Sequence, residues 1–307
     1  MKTYTNIDFT ADTSTVCALG CFDGIHLGHA HIINEAKRIA ASLSIASAVW
    51  SFREPPKNYF SKDKIKLLTS PEEKRLAMQA LGVDIFVCIP FDENISSLPA
   101  RTFFEDILIK RLNVRHIVCG FNYRFGKGGE GTAEMLKSLC AEAGIGLSVI
   151  PPITSGELTV SSSEIRTALC EGDISCANAL LGRAYSLRAK VIDGQHLGRT
   201  LGFPTVNQQF SKSKLLPRNG VYVSRIRVGR KLHYGITNIG LRPTVNGKEL
   251  CAETNIFDFT GDLYGRTLTV ELLAFLRPEQ KFSSIDELSN QVYKDIDEAH
   301  SFIRSLA

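Results

Sequence analysis

No run within the 307 residues approaches the roughly 18 apolar residues needed to span a bilayer. Residues 1–8 also lack a cationic start followed by an apolar stretch. Both absences predict a protein that is neither exported by that route nor embedded in a membrane. Charge of one sign is equally scarce: 36 Lys and Arg against 32 Asp and Glu leave a net +4, with the basic residues scattered rather than gathered into tracts. A dedicated nucleic-acid binder would show more, so no nucleic-acid partner is expected, whereas an anionic small molecule fits. The eight cysteines, at 17, 21, 88, 119, 140, 170, 176 and 251, form no CxxC pair, and several sit in apolar runs such as 86–89 and 117–119. That argues against a zinc or disulfide framework and predicts reduced, buried thiols in a cytoplasmic protein. Internal repeats and low-complexity tracts are missing too.

What remains is a globular composition, 44% hydrophobic and 22% charged, in a chain long enough for two domains. Up to about residue 150, short apolar runs (16–19, 46–52, 83–89, 115–120 and 147–150) alternate with helical patterns. One of these places Ile32, Ile33, Ala36, Ile39, Ala40 and Leu43 on one face. Another opens on Ser70, Pro71 and Glu73, a capping box with proline in the first turn, and ends before Gly82. Strands alternating with helices predict a Rossmann-like parallel sheet covered on both faces. After residue 183 the period becomes two: Tyr185, Leu187, Ala189 and Val191 alternate with polar residues, as do Leu268, Val270 and Leu272. This half reads as a small antiparallel β-barrel or sandwich. It closes with a helix whose start, Ser284 with Glu287, fits a capping box and whose face carries Ile285, Leu288, Val292, Ile296, Ala299 and Ile303. Residues 163–181 read as a helical hinge, so the expected domains are 1–182 and 183–307.

The segment Gly20-Cys21-Phe22-Asp23-Gly24-Ile25-His26-Leu27-Gly28-His29 leaves the first apolar run and opens the first long helix. Unpaired helix N-terminal N–H groups, a positive dipole end and three glycines suit a phosphate there. His26 and His29, three apart, fall on one face and could neutralise a triphosphate in a transition state. A structural turn or half a metal site are the alternatives, and no third ligand cluster stands nearby to favour metal. Ser161, Ser162 and Ser163 with Arg166 offer hydroxyls and a fixed charge for phosphate oxygens, or an ordinary serine cap. Asn122, Tyr123 and Phe125 could lay an amide and aromatic rings against an adenine or flavin, or form a plain loop with a core aromatic.

Gly20 through His29 resembles the GxFDGxHxGH motif of the HxGH nucleotidyltransferases, which join a nucleoside monophosphate to a phosphorylated acceptor and release pyrophosphate. Gly120-Phe121-Asn122-Tyr123-Arg124-Phe125-Gly126 is similar to a GxDFxFG loop, and residues 160–166 to an SSTxIR motif. Within that superfamily the chain resembles the bacterial bifunctional riboflavin kinase/FAD synthetases along nearly its whole length. In the second half, Gly198-Arg199-Thr200-Leu201-Gly202-Phe203-Pro204-Thr205-Val206-Asn207 resembles the kinase G-R-x-L-G-x-P-T-A-N motif.

The resemblance implies an N-terminal α/β nucleotidyltransferase domain and a C-terminal β-barrel riboflavin kinase domain with a terminal helix. It implies riboflavin, FMN and ATP as substrates and Mg2+ as cofactor. His26, His29 and Glu253 become catalytic candidates. Gly20, Phe22, Asp23, Gly24, Gly28, Ser161, Ser162, Ser163, Arg166, Gly198 and Arg199 become ATP or phosphate contacts. Asn122, Tyr123, Phe125 and Arg277 become flavin or nucleotide contacts, with a structural ion pair the alternative for Arg277. Thr205 offers magnesium a hydroxyl and Asn207 a carbonyl oxygen. Two departures stand out: Asn122 where the family more often has Asp, and Phe52-Arg53-Glu54-Pro55-Pro56 in place of F-x-P-H-P, with no histidine. The alternatives are therefore a kinase with weak or lost adenylyltransfer, or a non-catalytic flavin-binding regulator.

Overall fold

The computed structural model describes residues 1–156, 158–194, 198, 201–244 and 247–306, with the side chains of 241–249 left aside. Two compact units, Met1–Ser162 and Ser163–Ala307, divide earlier than the 182/183 line read from the periodicity.

The first unit is built on a parallel six-stranded sheet. Its strands are β1 (Lys2–Tyr4), β2 (Thr15–Leu19), β3 (Ala46–Phe52), β4 (Ile85–Ile89), β5 (Val114–Gly120) and β6 (Gly146–Ile150), in the order β1-β4-β3-β2-β5-β6. Every residue of β2 and β4 is buried, because helices cover both faces. Cys17, Leu19, Trp50, Val87 and Ile117 point into one apolar layer with Phe103, Phe104 and Leu136. Their neighbours Val16, Ala18, Val49, Phe86 and Val118 point into the other, against Ile33, Ala36 and Met78.

The helices of this unit are α1 (Leu27–Leu43), α2 (Lys57–Phe60), α3 (Pro71–Ala80), α4 (Glu93–Ser96), α5 (Ala100–Thr102) and α6 (Ala133–Ala143), and a π-helical stretch spans Phe103–Arg111. The α3 capping box forms as expected: the Ser70 hydroxyl accepts from Glu73 N and the Glu73 carboxylate from Ser70 N. A short hairpin, β7 (Thr154–Ser155) and β8 (Leu158–Thr159), leads out of the sheet.

Beyond it lie the helices α7 (Ser162–Glu171) and α8 (Ile174–Leu181), over the residues expected to be helical. The Asn178 side chain of α8 donates to Leu272 O and accepts from Tyr185 N, both in the second unit.

The second unit is a closed antiparallel barrel of β9 (Tyr185–Ile192), β10 (Thr205–Gln209), β11 (Gly220–Val228), β12 (Lys231–Thr244), β13 (Gly247–Ile256) and β14 (Thr267–Pro278), ordered β10-β13-β12-β11-β14-β9. Leu187, Tyr222, Ile226, Ile239, Val270 and Leu272 are buried. So are Ser224, Thr237 and Thr254, whose hydroxyls bond one another. The terminal helix α9 (Ile285–Arg304) is capped by the Ser284 hydroxyl, which accepts from Glu287 N, but the Glu287 carboxylate accepts from Ser283 N and Oγ, so the expected capping box forms only in its serine half. Its Val292, Ile296, Ala299 and Ile303 pack on Val221, Val223 and Ile236.

Two expectations need correction. Ile285, assigned to that apolar face, is 56% exposed, while Asp295 is buried beside Ala299. The eight cysteines are free thiols, but only Cys17, Cys88, Cys119 and Cys140 are buried; Cys170 is exposed and the rest are intermediate. Cys170 lies near the end of α7 on its solvent side, where a helical period overrides the apolar character of the residue.

Candidate functional site

In the first unit the candidate residues gather at the carboxyl ends of β2, β3 and β5. Chain order reverses between β2 and β5, which is where open α/β sheets leave a crevice for ligands. The loop from Gly20 to His26 is wound tightly: Phe22, Gly24 and Ile25 all take left-handed backbone angles. For Phe22 and Ile25 this costs roughly 1–3 kcal/mol each, so surrounding bonds must hold it. Phe22 is fully buried under Gly20, where a Cβ would meet its ring at 2.9 Å. The Asp23 carboxylate, 3% exposed, accepts from Leu68 N, Thr69 N and the Thr69 hydroxyl at 3.1, 3.0 and 3.2 Å. At Gly24 a Cβ would meet Leu68 Cδ1 at 2.7 Å, and its φ of +85° strains any other residue there.

His26 caps α1 with its Nδ1, which accepts from His29 N at 3.2 Å. That bond leaves Nε2 as the protonated nitrogen of the neutral ring. The His26 and His29 rings stack at 3.6 Å and 16°, and His29 also meets the Phe22 ring edge-on. The expected shared face is therefore present, with two imidazoles at a helix N-terminus. Ser162 donates to Asp23 O at 2.9 Å, which ties the serine motif to this loop. Ser161 is half-buried, Ser163 exposed in the first turn of α7, and Arg166 half-buried one turn on.

A cavity of about 800 Å3 opens beside β3 and β5, walled by Phe52, Phe91, Phe103, Tyr123 and Phe125, with Lys57 and Arg124 at its lining. Tyr123 and Phe125 stack at 5.9 Å and 13°, and Phe52 meets Phe91 edge-on at 5.1 Å. Burial pushes the Tyr123 hydroxyl well above its ordinary pKa, so it stays a hydrogen-bond donor at physiological pH. Asn122 is exposed and is not among the residues lining this cavity. Pro56, in the stretch that departs from F-x-P-H-P, is among its lining residues.

In the second unit, strand pairing assembles the candidates. Thr205 stands opposite Asn255 and Asn207 opposite Glu253, while Glu253 also pairs with Asn238 across β12. Residues two apart share a face, so these side chains form one polar patch on the barrel wall. Thr205, Glu253, Asn238 and Asn255 line a cavity of about 250 Å3 together with Gly198, and Leu288 and Val292 of α9 close its apolar side. A second cavity of about 590 Å3, bounded by Phe259, Asp262 and Tyr264, shares Thr205 with the first. Asn207 is 6% exposed and its Oδ1 is a buried oxygen with no hydrogen-bond partner among the described residues. A hydroxyl and an unsatisfied amide oxygen fit a hard cation such as Mg2+, which takes few protein ligands. Among the described residues no cluster of three His, Cys, Asp or Glu could hold a metal alone. Arg199 lies outside the described residues.

Arg277 lines the same cavity, but its Nε and Nη2 are committed to both oxygens of Asp295 at 2.8 and 2.7 Å. The ion-pair alternative is thus present, and Gln291 supports it by donating to Asp295 at 2.9 Å. Sequence reading passed over Asp295 because it sits within an apolar stripe. A carboxylate in such a stripe is itself a signal that a buried partner must exist. Lys74 was passed over for the same reason: it lies one turn before Met78 on the buried side of α3.

Comparison with known proteins follows the same division. Residues 8–164 match the FAD synthetase family model and 181–303 the riboflavin kinase model. A Bacillus subtilis protein named bifunctional riboflavin kinase/FMN adenylyltransferase is 38% identical over 95% of this chain and 93% of its own. An Escherichia coli K12 protein of the same name is 34% identical over 94% and 93%. A crystal structure named as a macrolide-efflux protein from Streptococcus pneumoniae matches with a TM-score of 0.88 at 31% identity, over 98% of this chain and 99% of that one. Among the described residues of this chain no helix is long and apolar enough to cross a membrane.

Proposed function

The chain belongs to the bifunctional riboflavin kinase/FMN adenylyltransferase family, and from that premise we propose how its residues divide the two reactions. The enzyme phosphorylates riboflavin with ATP to give FMN and adenylylates FMN with a second ATP to give FAD, releasing pyrophosphate.

In the FAD-forming half, an FMN phosphate oxygen attacks the α-phosphorus of ATP and pyrophosphate leaves. His26 and His29 stabilise the charge that develops there, aided by the N-terminal amides of α1 and by Gly20, Gly24 and Gly28, which let phosphate oxygens approach the backbone. Phe22 and Asp23 shape that loop from below. Ser161, Ser162, Ser163 and Arg166 bind phosphate oxygens. The isoalloxazine lies in the aromatic-walled cavity against Tyr123 and Phe125, and Asn122, exposed on the same loop outside that cavity, is left to the nucleotide. The stacked ring pair supports this placement, since offset stacking suits a flat heteroaromatic.

In the kinase half, Glu253 takes the proton of the ribityl 5′-hydroxyl as that oxygen attacks the γ-phosphorus and ADP leaves. Riboflavin occupies the smaller cavity and ATP the larger, which meet at Thr205. Thr205 and Asn207 would hold Mg2+, which would supply charge compensation for the transferring phosphoryl group when bound with ATP. Gly198 and Arg199 border the phosphates. Arg277, neutralised by Asp295, shapes the flavin side of the cavity.

The observation that supports the kinase reading is the register setting Asn207 opposite Glu253 and Thr205 opposite Asn255, which leaves these four side chains on one face. The functional division is 182/183, because the Ser161–Arg166 motif of the first chemistry runs into α7, past the boundary of the compact units. A cytoplasmic location is supported by the free thiols. The test is incubation of purified protein with riboflavin, ATP and Mg2+, followed by chromatographic separation of flavins. FMN and then FAD are expected; FMN alone would leave a kinase without adenylyltransfer, and neither product a flavin-binding regulator.

A further inference from the structure

Lys74 is 1% exposed, among the most deeply buried large side chains of the chain. Its Nζ donates to Cys21 O at 2.8 Å, Phe52 O at 2.7 Å and Ser51 Oγ at 3.3 Å, and Ser51 Oγ in turn donates to Cys21 O at 2.8 Å. Cys21 lies in the loop that leads from β2 to the histidines, and Phe52 ends β3 and walls the aromatic cavity. The ammonium thus joins the exits of two adjacent parallel strands, one leading to each proposed substrate. Among the described residues no carboxylate forms an ion pair with Lys74; its three acceptors are neutral. A buried charge compensated only by neutral acceptors is costly, and a methionine would fill the same space without that cost. Its field is therefore left for an anion bound above the loop.

We propose that Lys74 is a positioning residue of the FAD-forming site: acting through the Cys21 and Phe52 carbonyls, it fixes the phosphate loop and the flavin wall relative to each other and lends that loop a positive charge. The proposal rests on the reading of the first unit as the FAD-forming half.

The test is steady-state FAD formation from supplied FMN by the full-length enzyme, with KM for ATP and for FMN determined separately from kcat. Lys74→Met removes charge and donors, Lys74→Gln keeps a donor without charge, and Ser51→Ala removes only the hydroxyl. Loss of a charge-assisted hydrogen bond corresponds to about tenfold or more, so KM for both substrates should rise by at least that in Lys74→Met. Lys74→Gln should show an intermediate rise and Ser51→Ala a smaller one in the same two constants. FMN formation should be unchanged in all three, because Lys74 and Ser51 lie in the other unit. A merely structural lysine would lower the melting midpoint or the fraction of active enzyme, and hence kcat, with both KM values intact; that result overturns the proposal. Should Lys74→Met fail to fold, the other two variants decide on the same criterion. A wild-type enzyme that makes FMN but no FAD overturns the reading of the first unit, and the proposal with it.

Discussion

Asp23→Asn tests how the phosphate loop is held. The carboxylate uses one oxygen for Leu68 N and the other for Thr69 N and the Thr69 hydroxyl, at 3% exposure. Asparagine has nearly the same shape but only one acceptor oxygen. With that oxygen turned to Thr69, the new NH2 faces Leu68 N, donor against donor, beside a side chain that is 0% exposed. An orphaned buried donor costs about 1–3 kcal/mol. The two surviving bonds also lose their ionic character, which roughly halves them, so the sum is about 2–4 kcal/mol. For a unit of this size that corresponds to a drop in melting midpoint of about 5–15 °C. The single tryptophan of the chain, Trp50, is buried in β3, so its fluorescence reports unfolding of the first unit alone. A midpoint lowered by less than about 2 °C would refute the assignment of Asp23 as the tie between this loop and residues 68–69.

Two further outcomes are expected. Thr205→Ala should raise the Mg2+ concentration giving half-maximal FMN formation by about tenfold or more, since even the loss of a group that only supports a metal ligand costs that much; an unchanged magnesium titration would remove Thr205 from the metal site. His116, whose Nε2 lies 2.9 Å from Ser148 Oγ, is held below its ordinary pKa chiefly by burial, with Arg38 lowering it and Glu35 raising it. Protons then bind the unfolded chain more readily than the fold, so stability should fall as pH drops below about 6.5 and continue to fall until the folded-state pKa is passed. The Trp50 melting midpoint should track that loss in the wild type and show a shallower slope in His116→Gln; parallel slopes would contradict it.

The elements legible in the sequence were those set by local chemistry. The Ser70–Glu73 and Ser284–Glu287 caps are written within four residues, and the apolar runs of β2 and β4 read as doubly covered strands. The edge strand at Lys2–Tyr4 was not legible, because three mixed residues acquire their structure only by pairing with β4. Nor was the π-helical turn at Phe103–Arg111, whose pattern reads as any helix. In the site, His26 and His29 could be grouped from spacing alone. The meeting of Thr205 and Asn207 with Glu253 and Asn255 depends on a pairing between strands far apart in the chain, which no local pattern encodes. Lys74 and Asp295 were hidden for a related reason: each interrupts an apolar stripe, and the partner that justifies it comes from another element.

The central claim is that each half carries one complete reaction with its own residues, so that FMN made by one can be used by the other. The most direct measurement supplies riboflavin, ATP and Mg2+ to His26→Ala/His29→Ala enzyme, to Glu253→Gln enzyme, and to a mixture of the two, and separates the flavins formed. The histidine variant should accumulate FMN with FAD formation reduced about 100- to 1000-fold. The Glu253→Gln variant should leave riboflavin about 100-fold less converted yet turn supplied FMN into FAD at the wild-type rate. The mixture should make FAD from riboflavin through FMN released into solution. FAD formed from riboflavin at near wild-type rate by either variant alone would contradict the account.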